Sequence, residues 1–413
     1  MAAEIVDILN LTDLPAADPG TNVSEAFRAY DAGRAALTAR SLEATDRALG
    51  EFAKAVELDG RFALAYAAIA ESYSRKYSLT KDAAFVNLAQ QNAERAVHLA
   101  PGSAEVHRSL AEVHGVKGEF EAGITELRRA LEIDPSDASS YGILAIQYRN
   151  LGKSKEAEAA FLQSVALRPN YWNSYNALGS FYVSQGKYPE AEKAFRTEVQ
   201  ILPTQTMGFN NLGAGLILTD RCSEAVEVFR KSIAIKPSAG AYTNLGNCEF
   251  KERHYTAAAA AMEAAAKLNP KEHLLWRNLG DAYQMLPGRE ADARGSYQQA
   301  LDMAEALLKV NPRDARALSS TALYRAKLDD SPRAQTAIAQ TDRLESKDLS
   351  VIFNTAVASE LTGQRKSALS RIKSALEQGF SMERVTSAPE LEKLRESEEF
   401  RQLQSNMKQG ATQ

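Results

Sequence analysis

Two of the five histidines, His107 and His114, stand seven residues apart, a spacing that puts both imidazoles on one face of a helix, where they could share a metal ion. Both fall at places where neighbouring stretches of the chain carry tyrosine, which points to core or half-buried rings instead. His98, His254 and His273 have no carboxylate or cysteine at ligand spacing, so no metal ligand is assigned. Cys222 and Cys248 lack the paired spacing of a zinc site and read as small core residues or free thiols. The run GAGLIL from Gly213 looks like part of a dinucleotide fingerprint, but it falls inside a helical pattern and not after a strand. Carboxylates are abundant, yet nothing nearby would desolvate a pair for acid–base work. No catalytic residue, metal or cofactor is therefore expected.

What positions these residues is a repeat. Prolines at 101, 135, 169, 203, 237, 270 and 312 are separated by 34, 34, 34, 34, 33 and 42 residues, and each follows an amphipathic stretch such as SVALRP or SIAIKP. With that proline counted as repeat position 32, position 4 holds Tyr141, Tyr175, Phe209, Tyr242 and Trp276, and position 7 holds a leucine in the same five units. Position 8 is Ala145, Gly179, Gly213, Gly246 and Gly280, position 20 is alanine, and position 24 is Phe161, Phe195, Phe229 and Met262. Large apolar residues at 4, 7 and 11 share one helical face, and small residues at 8 and 20 let a second helix approach closely. Gly118, Gly152, Gly186 and Gly363 at position 15 suit the left-handed end of the first helix.

A helical hairpin of this kind cannot bury its own apolar face, so units must stack. About ten are legible over residues 23–380, with insertions in the first, second and eighth. A leader, extended or partly disordered, is expected over 1–22. Capping helices and a tail are expected over 381–413, where Leu391, Leu394, Phe400 and Leu403 could cover the last hairpin.

The large–Leu–Gly–Tyr–Ala–Phe–Ala–Pro pattern resembles the tetratricopeptide repeat. That resemblance implies an all-α, right-handed superhelical solenoid whose first helices line a concave groove. Three stretches, around AYDAGRAAL, NLGDAYQMLPGREADARGSYQQAL and ALEQGFSMERVTSAPELEKL, also resemble the repeat regions that follow the catalytic domain in bacterial eukaryotic-like serine/threonine kinases and some adenylate cyclases. No kinase signature accompanies them.

In the same repeat numbering, position 6 carries Asn211, Asn244, Asn278 and Asn354, and Asn176 and Asn210 lie one place earlier. An amide can donate and accept at once, so such a ladder could clamp an extended peptide backbone, as a similar ladder does in O-GlcNAc transferase. Asn247, Arg277 and Asp281 complete the candidate lining. Basic residues for a carboxylate clamp are sparse there, with only Arg277 and Lys251 nearby.

The implied partner is a protein or extended peptide, bound by a non-catalytic scaffold in bacterial signalling or complex assembly. The alternatives are the interaction portion of a larger kinase, cyclase or glycosyltransferase system, and a self-assembling structural solenoid. A net charge of −4 from 49 basic and 53 acidic residues argues against nucleic acid. No stretch reaches the roughly 20 apolar residues of a membrane helix, and the N-terminus has acids and prolines where a signal peptide needs basic and apolar runs. A complete chain with these features is expected in the cytoplasm, with the monomer favoured.

Overall fold

The computed structural model describes residues 20–39 and 41–410. All but the end of the leader expected over 1–22 lies outside the described residues. Among them are 23 α-helices, one short 3-10 turn and no strand. The chain divides into two compact units, residues 1–203 and 204–413.

Unit 1 holds five helical hairpins: α1 Ser24–Ala36 with α2 Leu42–Leu58, α3 Ala63–Thr80 with α4 Ala84–Leu99, α5 Ala104–Lys117 with α6 Phe120–Ile133, α7 Ala138–Asn150 with α8 Ser154–Leu167, and α9 Trp172–Ser184 with α10 Tyr188–Ile201. Unit 2 holds five more: α11 Thr206–Leu218 with α12 Cys222–Ile235, α13 Ala239–Lys251 with α14 Tyr255–Leu268, α15 His273–Gln284 with α16 Glu290–Val310, α17 Ala315–Lys327 with α18 Ser331–Asp342, and α19 Leu349–Leu361 with α20 Arg365–Glu377. It ends with α21 Met382–Ser387, the 3-10 turn Pro389–Leu391, α22 Glu392–Arg395 and α23 Glu398–Gly410.

The periodic prolines act as expected. Second helices end at Leu99, Ile133, Leu167, Ile201, Ile235, Leu268 and Val310, each two residues before its proline. The insertions mostly lengthen helices and do not form loops: α3 runs to 18 residues and α16 to 21.

Glycine at position 8 has a more specific cause than helix crossing alone. A methyl group built on Gly179, Gly213 or Gly280 would meet the ring of Phe195, Phe229 or Tyr297 at 2.5 Å, so the glycine makes room for the aromatic side chain at position 24 of its own hairpin. Cores therefore form within each hairpin and against the next, as where Ala70, Ala89 and Ala93 meet Val113, or where Ala258 and Met262 meet Leu279 and Tyr283.

Gly118, Gly152, Gly186 and Gly363 take the left-handed conformation, with φ from 70° to 79°. Hairpins six, seven and nine place Asp220, Arg253 and Asp329 there instead, at φ 60°, 63° and 65°. A side chain at this conformation costs about 1–2 kcal/mol, more than the extra chain entropy a glycine loses on folding. Asp220 and Asp329 make ion pairs with Lys251 and Arg294, whereas Arg253 is exposed and makes none among the described residues. Arg253→Gly is expected to stabilise unit 2 by about 0.5–1 kcal/mol, read as a raised thermal midpoint that Arg253→Ala does not reproduce.

Candidate functional site

Several polar groups converge on the first helices of unit 2, and the last segment of the chain lies against them. Lys327 on α17 is the hub. Its side chain is 3 % exposed, its ammonium donates to Asp281 of α15 at 2.8 Å and also to Glu390, and it stands 4.9 Å from the ring centre of Tyr297. The Tyr297 hydroxyl donates to Asp281 and is within 2.8 Å of the Gln284 side-chain oxygen. Arg277, one turn before Asp281, approaches it at 3.7 Å. Burial pushes the Asp281 carboxyl up, but Lys327 and Arg277 outweigh it and hold the group below the usual carboxylate range. Burial likewise opposes the Lys327 charge, and the two carboxylates overcome it, raising its pKa.

Lys251 stands at the same repeat position, 13, two hairpins earlier, where it pairs with Asp220 at 2.5 Å and with Glu383. Beyond Lys327, the guanidinium of Arg384 lies 5.9 Å from the ring centre of Phe353 on α19 and 4.9 Å from that of Phe380, and those two rings stack at 4.7 Å. Burial, then the nearby Arg277, lowers the Arg384 pKa. Val385, Leu391, Leu394 and Phe400 are buried in one apolar cluster with Tyr324, Val357 and Ile372, and Leu403 packs on it. The final segment thus covers the last hairpin and also reaches back to α13.

The nine candidate residues fall into three groups. Asn176 and Asn210 at position 5 turn toward the second helix of their own hairpins. The Asn176 amide donates to both carboxylate oxygens of Glu198 at 3.1 Å, and Asn210 accepts from Ser232 at 2.7 Å. Arg277, Asn278 and Asp281 belong to the α15 cluster, where the Asn278 oxygen accepts from the Arg277 guanidinium at 2.8 and 3.1 Å. Asn211, Asn244, Asn247 and Asn354 make no side-chain hydrogen bond within the described residues, and Asn247 is exposed.

Lys327, Tyr297, Phe353 and the acidic partners in the final segment were not among the residues the sequence singled out. The recurrence of lysine at position 13 in hairpins seven and nine was the available signal. Nor was unit 1, where Arg34, Arg75 and Arg108 occupy three consecutive first helices. Carboxylates already engage all three: Arg34 meets Glu71 at 2.7 Å, Arg75 meets Glu71 at 3.3 Å, and Arg108 meets Asp137 at 2.5 Å and Glu105 at 3.6 Å. Beside them, burial and then the like charge of Glu71 push the Glu112 carboxyl up to about 7.

The two histidines at seven-residue spacing have separate partners. His107 is buried, with Nδ1 2.6 Å from Glu126 and Nε2 2.9 Å from the Pro101 carbonyl, whereas His114 meets Glu119 at 2.7 Å. Cys222 and Cys248 are both buried free thiols. Among the described residues no helix is long and apolar enough to cross a membrane.

A family model described as tetratricopeptide repeat matches residues 81–138, 144–206, 243–287 and 285–343, and a second of the same description matches 126–159. No curated protein matches the chain. Among solved structures, pilF of Pseudomonas aeruginosa is 23 % identical over 51 % of this chain and 92 % of its own, with a TM-score of 0.42. YrrB, described as a TPR protein with an unusual peptide-binding site, is 21 % identical over 44 % of this chain and 94 % of its own, with a TM-score of 0.38. A thermophilic TPR protein of Thermus thermophilus is 19 % identical over 44 % of this chain and all of its own, with a TM-score of 0.34. With the first repeat model matched over more than half of its length, and ten helical hairpins in succession, the chain belongs to the tetratricopeptide-repeat family.

Proposed function

We propose that this chain is a non-catalytic scaffold that holds a partner protein, through an extended segment, against the first helices of unit 2. The observation that supports this reading is the set of amides at Asn211, Asn244, Asn247 and Asn354, four donor–acceptor groups on first helices with no hydrogen bond to another described residue. An amide left free on a helix face can bond a peptide backbone without displacing an internal partner. Asn176 and Asn210 act within their hairpins and are not part of this surface.

The resemblance of three stretches to regions that follow bacterial kinase and cyclase domains supports a setting in bacterial signalling or complex assembly, in the cytoplasm. We take residues 23–380 as the repeat region and 381–413 as its C-terminal cover. The test is Asn211→Ala combined with Asn244→Ala in the full chain. Neither side chain has an internal hydrogen bond to lose, so stability should stay within about 0.5 kcal/mol. Affinity capture with quantitative mass spectrometry should then recover fewer partners than the unaltered chain does. Equal recovery by both would remove the main support for this surface.

A further inference from the structure

A segment that only closes the last apolar face of a repeat stack needs leucines facing inward and charges facing water. Leu391, Leu394 and Phe400 meet that need against the tenth hairpin. It does not need Glu383 on Lys251, three hairpins from the end, or Glu390 on the buried Lys327. Between those two carboxylates, seven residues apart, Arg384 lies over Phe353 and Phe380, and Val385 is fully buried. In consequence the segment places anchors on α13 through Glu383, on α19 through Arg384 and on α17 through Glu390. A bound peptide would engage such a face in the same way.

The segment's own structure is weak. Its pieces are a helix of six residues, a 3-10 turn of three and a helix of four, each far below the length at which a helix holds its form alone. The Lys251–Glu383 pair is solvent-exposed, with side chains 38 % and 59 % accessible. Its order therefore comes from the face beneath it, where Val385, Leu391 and Leu394 are buried, and not from helix formation of its own.

We infer that residues 381–394 are a built-in occupant of the first-helix face of unit 2, and that the partner for this face is a protein segment of the same chemistry. That segment carries two carboxylates about seven residues apart, with a basic residue beside the first and apolar residues before and after the second. It binds by displacing the resident one. The inference rests on the proposed role of this face in holding partners and adds the kind of segment it holds. Tethering gives the resident segment a high effective concentration, so a free competitor meets a face that is mostly covered until the two acid–base pairs are loosened.

The probe is a labelled synthetic peptide of residues 381–394, SMERVTSAPELEKL, titrated by fluorescence anisotropy against two full-length chains: the unaltered one and one with Glu383→Gln and Glu390→Gln. The altered chain should bind the peptide at least tenfold more tightly, and hydrogen exchange should quicken over 382–395 while α13, α15 and α17 keep their protection. The same peptide with both glutamates changed to glutamine should bind neither chain. Equal affinity for both chains despite quickened exchange would overturn the inference, as would exchange over 382–395 that the two substitutions leave unchanged. A second pair guards against misfolding. Lys251→Glu alone should open the segment, and adding Glu383→Lys in the same chain should close it again; an absence of rescue counts against the inference. If the peptide fails but the asparagine variant still loses its captured partners, the scaffold reading stands without the built-in occupant. If the peptide binds and the asparagine variant keeps every partner, the asparagine surface is lost instead.

Discussion

Lys327→Met is expected to destabilise unit 2 by about 3–5 kcal/mol, the usual cost of removing one member of a buried ionic set and leaving the others uncompensated. Methionine fills nearly the same volume, so the loss is electrostatic and not a cavity effect. Asp281 and Glu390 would face each other with no cation between them, and only Arg277, 3.7 Å from Asp281, would remain close. The sign follows from the pKa shifts. The raised pKa of Lys327 means its contribution is fully present below the ordinary lysine range and is lost only as pH rises beyond it. The lowered pKa of Asp281 means its contribution is present above the ordinary carboxylate range and is lost as pH falls through its depressed value. At neutral pH both are in force. Trp276 packs on the apolar cluster of unit 2 that holds Tyr324 and Leu391 and is one of only two tryptophans, so a Trp172→Phe background makes fluorescence in urea a report on unit 2 alone. Adding Asp281→Asn and Glu390→Gln to Lys327→Met should return most of the lost stability, because no buried charge is then unpaired. If the triple variant is no more stable than Lys327→Met, the network is not what Lys327 supports.

Glu198→Gln is expected to stabilise unit 1 by about 2 kcal/mol at pH 8 and to have little effect near pH 4.5. The Glu198 side chain belongs to a residue 1 % exposed, and its only polar partner among the described residues is the neutral amide of Asn176. Burial pushes its carboxyl up to about 7, and the Asn176 hydrogen bonds offset this only in part. Since the folded value lies above the unfolded one, the folded chain keeps a proton that the unfolded chain releases between pH 4.5 and 7. Stability therefore falls as pH rises through that window and stays low above it. Glutamine is neutral throughout and still offers an oxygen to Asn176, so the gap between variant and parent should open across the same window. Urea denaturation followed through Trp172, in a Trp276→Phe background, measures that gap at each pH. A gap that does not change with pH would show that the Glu198 carboxyl is not carrying the penalty.

Much of the fold was legible because a repeat stack is built from local rules repeated. A proline about every 34 residues, a glycine at position 15, and small residues at 8 and 20 each act within one hairpin or its neighbour, so their spacing along the chain is their spacing in space. Position 15 also shows the limit of residue type. Asp220, Arg253 and Asp329 adopt the glycine conformation because the hairpins around them require the same turn. The asparagines divide for a related reason. A one-place shift along a helix rotates a side chain by about 100°, so Asn210 bonds Ser232 while Asn211 is left without a partner among the described residues.

The sequence by itself determined the hairpins, their number at about ten, and most of the turns, all of which follow from periodic local pattern. Only the tertiary structure decided where the final segment goes. Glu383 reaches Lys251 across 132 residues and Glu390 reaches Lys327 across 63. Neither pair recurs with the repeat, and an acid–base match at such a distance has no signature in spacing. The same residues that read as a charged cover over the last hairpin are also, once folded, the occupants of the face that the repeats present.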